Sequence, residues 1–430
     1  MTTSALLIVL LLVLLAGGLW ISVTLSIVAW AGVAFFSSTR PEINLVTSYW
    51  NTYSSLNLAS LPMFIWMGEI LFRTRLAEKM FAGLSPWLEK VPGRLMHVNV
   101  LGCGIFGAVS GSSTATLVTI GKISLPELKR RSYDESMSLG SLCGASTLGL
   151  LIPPSIAMIV YAVSADVSII RMFIAGILPG LMLLAMFSGF LVVWALMNPD
   201  KVPRMETRTT WGEKLRALLQ LIPVLALIIM VFASMVSGLA TANEASAFGV
   251  LGALLIAAWG KTLIWSSFKD SISGALRMSG MIMFILGASA FLTVAMGFTG
   301  IPKALAEWVV SLQLAPFMLI AVLTLVYILL GCALDGVSMI VLTTAVVLPM
   351  VQAAGFDPIW FGVYIIIMIE LAQITPPVGF NLFVLQGMSG QSITKIAKAS
   401  FPFFMIMVSA TAIVVMFPSI VTWLPNYLMG

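Results

Sequence analysis

The residues best suited to chemistry lie where long apolar stretches are interrupted. Leu95 to Gly121 is such a stretch, and it contains Gly102, Gly104, Gly107 and the run Ser110-Gly111-Ser112-Ser113-Thr114. As a single helix it would be about 40 Å long, yet the central Gly and Ser residues are poor helix formers. Splitting it there gives two limbs of about 12 residues, roughly 18 Å each, too short to span a bilayer. A re-entrant hairpin over about 95–121 is therefore expected, its tip near the midplane, where irregular backbone survives only if buried in protein or lining a cavity. The tip offers four hydroxyls, backbone carbonyls and a helix N-terminus. Close packing of two helices explains the glycines but does not ask for four adjacent hydroxyls.

A second stretch, about 317–352, carries Gly331, Asp335, Gly336 and Ser338 at the equivalent place. A carboxylate deep in an apolar run is a functional candidate, and Asp335 is also suited to cap the returning limb. Two further runs contain paired prolines. Thr147-Leu-Gly-Leu-Leu-Ile-Pro153-Pro154-Ser155 lies within 137–163, and Gln373-Ile-Thr375-Pro376-Pro377-Val-Gly379 within 359–386. Consecutive prolines remove two amide donors and push Ile152 and Thr375 out of helical geometry, so each span must break and free carbonyls there. Freed carbonyls beside hydroxyls are the oxygen ligands a Na⁺ ion needs. One broken helix facing one hairpin tip makes an ion site, and two copies make two.

The elements that position these residues follow from composition and repetition. In 430 residues, 60% are apolar and 9% charged, with a mean hydropathy of +1.07. A soluble domain carries roughly 25% charged residues. The chain is therefore expected to be an all-α polytopic membrane protein. Alternating strands of about ten residues are absent, which disposes of an outer-membrane barrel. Cys103, Cys143 and Cys332 form no CxxC pair, and the single histidine, His97, cannot build a histidine metal site. The net charge of +5 lies in short loops, where the positive-inside rule accounts for it without nucleic acid. Ala5 to Phe36 lacks a basic n-region and a small-residue cleavage site and reads as a retained span.

Shifting the sequence by 223 carries Pro126, Pro153, Pro154 and Pro179 onto Pro349, Pro376, Pro377 and Pro402, with no gap. The same shift places Asp335 on Ser112. Two repeats result, 1–197 and 217–430, joined by a linker at 198–216 whose five basic residues against three acidic ones assign it to the cytoplasm. Lys122, Lys129, Arg130 and Arg131 fall on Ala345, Gln352, Ala353 and Ala354. Conversely, Arg40 is offset by Glu42, whereas the corresponding 261–277 stretch carries Lys261, Lys269 and Arg277 against Asp270. Equivalent loops so contrasted belong on opposite sides. Inverted-topology repeats, each with a re-entrant hairpin and a Pro-Pro-broken transmembrane helix, are the expected architecture, and they are characteristic of secondary transporters.

The motifs Gly107-Ala-Val-Ser-Gly-Ser-Ser-Thr-Ala-Thr, Leu125-Pro-Glu-Leu, Gly149-Leu-Leu-Ile-Pro-Pro-Ser, Gly176-Ile-Leu-Pro-Gly and Thr375-Pro-Pro-Val-Gly-Phe-Asn together resemble the large membrane subunit of tripartite ATP-independent periplasmic (TRAP) transporters, the DctM-like family. The resemblance runs from about Leu61 to the C-terminus. It implies a fold similar to that of the divalent anion/Na⁺ symporters in the ion-transporter superfamily. It also implies an elevator mechanism, Na⁺ coupling, a small four-helix DctQ-like membrane subunit and a DctP-like periplasmic substrate-binding protein. Asp335-Gly-Val-Ser departs from the Asp-Pro that is more usual in the family.

The expected function is translocation of small organic anions, carboxylates such as C4-dicarboxylates or sialic acid, across the bacterial inner membrane. Expected Na⁺ ligands are Ser110, Ser112, Ser113, Thr147, Gly149 and Pro153 from the first half, with Gly331, Asp335, Thr375 and Pro376 from the second. Expected substrate contacts are Ser113, Thr114, Pro154, Asp335, Ser338, Pro377 and Asn381. No cofactor other than the coupling ion is expected, and no Gly-x4-Gly-Lys-Ser/Thr motif supplies ATP binding. A stand-alone Na⁺- or H⁺-coupled symporter of similar fold is the alternative. An ion channel would need a continuous polar pore, and an intramembrane enzyme a catalytic constellation that His97 does not supply. Glu69 is placed to pair with Arg73 one helical turn on, Glu244 and Glu370 have no local partner, and Trp194, Trp259, Trp265, Trp360 and Trp423 read as interfacial anchors.

Overall fold

The computed structural model describes all residues except 1, 75, 204–209, 301–306, 308–315, 332–333, 377–378 and 430, and every regular element among those described is helical. Among the described residues, five helices are long and apolar enough to cross a membrane singly: Ile169–Met197, Ala242–Trp259, Trp265–Thr299, Gly336–Ala353 and Ile393–Met416. Two bent pairs raise this to seven. Glu135–Leu151 with Ile156–Ser164 bends by 42°, and Trp211–Leu219 with Ile222–Val236 bends by 50°. The molecule is thus a helical, multi-pass membrane protein.

The first hairpin consists of Met96–Ser110 and Ser113–Arg130, and the second of Pro316–Leu330 and Gly336–Ala353. The tips fall where the Gly and Ser runs put them, but the returning limbs are 18 residues each rather than about 12. Loss of apolar character marks where a helix leaves lipid, not where it ends. Lys122 to Arg130 are sufficient helix formers to carry the first limb on, with Pro126 inside it. Both returning limbs begin and end 223 positions apart, and so do their N-caps, Ser112 and Asp335. Asp134 and Asp357, which cap the two broken helices, stand at the same spacing.

Two sequence expectations need correction. Ala5 to Phe36 is not one span but two helices, Thr2–Ala16 and Ile21–Phe36, because Gly17 and Gly18 interrupt it and Gly18 adopts φ 76°. Helix also resumes inside the expected linker, at Trp211, where Thr210 and Glu213 form a reciprocal capping box. That helix packs on Leu76–Leu88: Trp87 Nε1 donates to the Lys214 carbonyl at 3.1 Å, and the Trp87 and Trp211 rings meet edge to face.

The broken helices and hairpins are joined at glycines. A Cβ on Gly107 would lie 2.6 Å from Gly149 Cα, and one on Gly331 would lie 2.0 Å from Ala372 Cβ. Such backbone approach lets helices pack by van der Waals contact where no hydrophobic force separates protein from lipid. Beside this block runs Trp265–Thr299, 35 residues long, which packs on Ile21–Phe36, Pro41–Tyr53 and Ser60–Phe72 on one side and on Gly336–Ala353 on the other.

Candidate functional site between the two hairpin tips

Met96–Ser110 stops at Gly111, which takes the left-handed conformation (φ 58°) of a helix C-cap. A side chain there would be strained, and its Cβ would lie 3.0 Å from the Ile156 amide nitrogen. Ser112 then opens the returning limb, its Oγ accepting from the Ala115 amide at 3.4 Å. The Ser112 carbonyl accepts from Ser110 Oγ at 3.2 Å and from Thr116 Oγ1 at 2.8 Å. Thr116 was not singled out in the sequence, although it lies one turn beyond Ser112 and is wholly buried. Gly149 brings the first broken helix against this point, since a Cβ there would meet Thr116 Oγ1 at 2.8 Å and the Ser112 carbonyl at 2.9 Å.

The first break runs as expected. Ile152 and Ser155 are extended (φ −81°, ψ 119° and φ −124°, ψ 135°) around Pro153 and Pro154. Lacking N–H groups, the two prolines leave the carbonyls of Gly149 and Leu150 without their helical donors. Thr147 is buried in the preceding turn and donates to the Gly144 carbonyl at 2.7 Å. Asn381, from the helix Phe380–Ser389 beyond the second break, reaches this same region. Its Nδ2 donates to Ser113 Oγ at 2.7 Å and to Ser146 Oγ at 3.2 Å, while its Oδ1 is buried without a hydrogen-bond partner. Asn381 therefore belongs with the oxygen cluster of the first tip and not with the cavity wall.

At the second tip, Asp335 caps Gly336–Ala353, accepting from the amides of Val337 at 3.2 Å and Ser338 at 3.4 Å and from the Ser338 hydroxyl. Ser338 is buried and turned to that carboxylate. Thr375 donates to the Leu371 carbonyl at 2.6 Å, and with Pro376 it lines a separate crevice that also exposes Lys398. Pro377 lies outside the described residues, as does Cys332.

The two tips face one cavity of about 170 Å³, against roughly 10–15 Å³ for one water. Its wall brings together Ser112, Ser113 and Thr114 from the first tip with Gly331 and Asp335 from the second. Met278, Met281 and Ile282 of the long helix close one side, and Gln373, which opens the second Pro-Pro motif but was not among the expected contacts, adds an amide. Ser110, Thr147, Gly149, Pro153, Pro154, Ser338, Thr375, Pro376 and Asn381 are not in this wall. Among the described residues, no lysine, arginine or histidine lines it. An anion here meets the N-termini of Ser113–Arg130 and Gly336–Ala353, each worth about half a positive charge, and no protein cation.

Outside the cavity, Glu69 and Arg73 form the expected ion pair, and Arg73 also donates to the Asp270 carbonyl at 3.1 Å. Glu244 does have a local partner: it completes a capping box with Thr241, whose amide donates to it at 2.8 Å. Trp360 is no interfacial anchor but a buried side chain whose Nε1 donates to the Val414 carbonyl at 3.1 Å.

Residues 8–420 match the family described as the tripartite ATP-independent periplasmic transporter, DctM component. The chain belongs to that family. As a DctM component it is a transport protein, not an enzyme. It is 29% identical, over 97% of its own length and 98% of the other chain, to the C4-dicarboxylate TRAP transporter large permease protein of Rhodobacter capsulatus. A corresponding permease of Pseudomonas aeruginosa is 29% identical, with 90% of each chain covered. The ectoine TRAP transporter large permease of Halomonas elongata is 30% identical over 86% of each. Among solved structures, the Alcanivorax borkumensis YdaH transporter is similar in fold, with a TM-score of 0.55 at 10% identity over 87% of each chain. Neisseria gonorrhoeae MtrF gives 0.53 at 11% identity, over 86% of this chain and 83% of that one.

Proposed function

We propose that this DctM component is the translocating subunit of a Na⁺-coupled secondary importer of small organic anions, and that it acts with a small four-helix membrane subunit and a periplasmic substrate-binding protein in the bacterial inner membrane. The observation that carries the proposal is a cavity lined by both hairpin tips and by no cationic side chain, next to an oxygen cluster built on the first tip. An anion entering such a cavity gains the two helix N-termini, and a Na⁺ held by the neighbouring oxygens supplies the remaining positive charge. At the first tip those oxygens are the carbonyls freed at Gly149 and Leu150, the Ser113 and Thr147 hydroxyls and the unpaired Asn381 Oδ1. At the second tip, Asp335, Gly331 and the Thr375 break are the counterpart.

The two halves are proposed as inverted repeats, supported by the 223-residue spacing of limbs and caps and by the charge contrast between equivalent loops. The hairpins and broken helices move as one block against Trp265–Thr299 and its neighbours, an elevator motion supported by the close glycine contacts within the block. Substrates are small carboxylates or zwitterions of the size of a C4-dicarboxylate or ectoine, with sialic acid a further candidate. Liposomes holding this chain and its small membrane partner test the reading. Uptake of a labelled carboxylate should require an inward Na⁺ gradient and the matching binding protein outside. Uptake without Na⁺ would overturn the coupling, and uptake by this chain alone would replace the tripartite reading with a self-sufficient symporter.

A further inference from the structure

The long helix Trp265–Thr299 borders two cavities. Met278, Met281 and Ile282 wall the one between the tips, and Leu286, Ser289 and Thr293 wall a second, of about 410 Å³. Ile282 and Leu286 are both buried and stand one turn apart, so a single turn of helix parts the two spaces. The second half of the first broken helix runs the same way, with Ile156 and Ala157 at the first cavity and Val163 and Ser164 at the second. With the orientation proposed above, the second cavity is the outer one.

The two walls differ in chemistry. Opposite Ser289 and Thr293 stand Asn44, Thr47, Ser48 and Asn51, which share one face of Pro41–Tyr53, while Ile43, Val46 and Trp50 of the same helix are exposed. A helix with its apolar residues outward and its hydroxyls and amides inward suits a lipid-facing wall around a wet space. Asp166, at the rim, is the one charged residue among those described that line this space. Pro41–Tyr53 packs on the long helix, so the polar face is fixed to it. Asp166 follows the broken helix Ile156–Ser164 and belongs with the hairpin block.

The two walls also lie on one stripe of the long helix. Met278 to Ser289 and Ile282 to Thr293 are each 11 residues, about three turns and about 16 Å, with a rotation of about 20°. An outward slide of the block by that length puts Ser289 where Met278 faces the tips and Thr293 where Ile282 does, and carries Asp166 clear by the same distance. Ser289 Oγ donates to the Val341 carbonyl at 2.8 Å, on the returning limb of the second hairpin. The sliding block takes that acceptor away and frees the hydroxyl. Thr293 Oγ1, which donates to the Ser289 carbonyl of its own helix, turns to the cargo by rotating its side chain. We propose that Ser289 and Thr293, with the polar face of Pro41–Tyr53, form a substrate subsite used in the outward position alone. There they donate hydrogen bonds to a carboxylate held between the tips, and the inward position exchanges them for Met278, Met281 and Ile282. Hydrogen bonds to a charged group hold the cargo on arrival, and a thioether and hydrocarbon wall that cannot replace them lets it go. By linkage the loaded block favours the outward position by the same factor, and the inward Na⁺ gradient drives it against that preference.

The inference rests on the transport reading above, and its test separates the two. In a background without Cys103, Cys143 and Cys332, Thr114→Cys with Met278→Cys reports the inward position, and Thr114→Cys with Ser289→Cys the outward one. A short bifunctional thiol reagent should join both pairs in membranes. In liposomes with the small membrane subunit, Na⁺-driven uptake of labelled succinate is then measured against the concentration of its loaded binding protein. Ser289→Ala and Thr293→Val should each raise KM about tenfold without lowering the maximal rate, because each removes a donor to a charged group in the receiving position alone. Met278→Ser, which puts a hydroxyl into the releasing wall, should lower the maximal rate without raising KM. Joining of the 278 pair without the 289 pair overturns the exchange of walls. An unchanged KM in both S289A and T293V overturns the subsite and leaves the outer space a water-filled vestibule. Absence of Na⁺-driven succinate uptake in the wild type counts against the transport reading instead, and the two cysteine pairs then decide the slide.

Discussion

Asn381 Nδ2 donates to Ser113 Oγ at 2.7 Å across 268 positions of sequence, tying the helix after the second break to the tip of the first hairpin. The contact is wholly buried, and it leaves Asn381 Oδ1 as an oxygen without a donor beside the first break. Replacing Asn381 by Ala should raise the Na⁺ concentration for half-maximal uptake. It should also lower stability by about 1–3 kcal/mol, because Ser113 and Ser146 lose their donor in a dry site. Thermal unfolding with and without Na⁺ measures both effects. Equal Na⁺ stabilisation of wild type and variant would remove Asn381 from the ion site.

Ser113 and Thr375 should not respond alike to Ala. The Ser113 hydroxyl belongs to the Asn381 cluster, whereas Thr375 is bonded back to its own helix at Leu371. The Na⁺ requirement should therefore rise more in S113A than in T375A. A larger effect in T375A would shift the principal ion site to the second half.

Asp335 can be separated into cap and charge. Asn caps helices about as well as Asp, so D335N should keep stability within about 0.5 kcal/mol, whereas D335A should lose about 1 kcal/mol. If the carboxylate also serves a cation, uptake should fall in both variants. Full uptake by D335N would leave Asp335 as a cap only.

Gly107 admits no side chain without moving the first broken helix, since its Cβ would lie 2.6 Å from Gly149 Cα. Gly107→Ala should destabilise by about 1–3 kcal/mol and reduce uptake, whereas Gly189→Ala, which meets nothing within 4 Å, should leave both unchanged. Melting curves and uptake rates for the two variants check the contrast.

Single cysteines at positions 130 and 354, in a background without Cys103, Cys143 and Cys332, test the orientation of the halves. Position 130 should label from the cytoplasm and position 354 from the periplasm. Labelling from the same side would refute the inverted arrangement.

What the sequence revealed was local chemistry; what it concealed was side-chain direction. Gly111, Ser112 and the paired prolines dictate breaks by their own backbone preferences, so both tips and the Ile152 break were readable in advance. Whether a hydroxyl near a break faces a cavity depends on helix rotation, which no spacing rule fixes to within one residue. Thr147 and Thr375 turn to their own helices for that reason, and Asn381 crosses to the other half. Thr116 and Gln373 stand inside the quoted motifs, but only their packing in the fold, at the Ser112 carbonyl and in the cavity wall, gives them a role. The capping box at Glu244 is legible as Thr241-x-x-Glu244, a pairing with a hydroxyl and an amide and not with an opposite charge.

The long helix Trp265–Thr299 also carries a scale. Its last charge is Arg277, and Met278 to Thr299 form a charge-free length of about 33 Å, close to the thickness of a hydrocarbon core. Met278, Met281 and Ile282, which wall the cavity, all fall within about 8 Å of Arg277. With the basic linker inside the cell as proposed, Ile222–Val236 and Ala242–Trp259 lead out and back, and Trp265 starts from the inner face. The cavity in this arrangement is therefore at the cytoplasmic end of its run, a position for delivering cargo and not for receiving it. On the elevator motion proposed above, about 25 Å of uncharged helix, Met283 to Thr299, would remain on the outward side, enough stroke to bring the same pocket to the periplasmic surface without dragging it past a fixed charge.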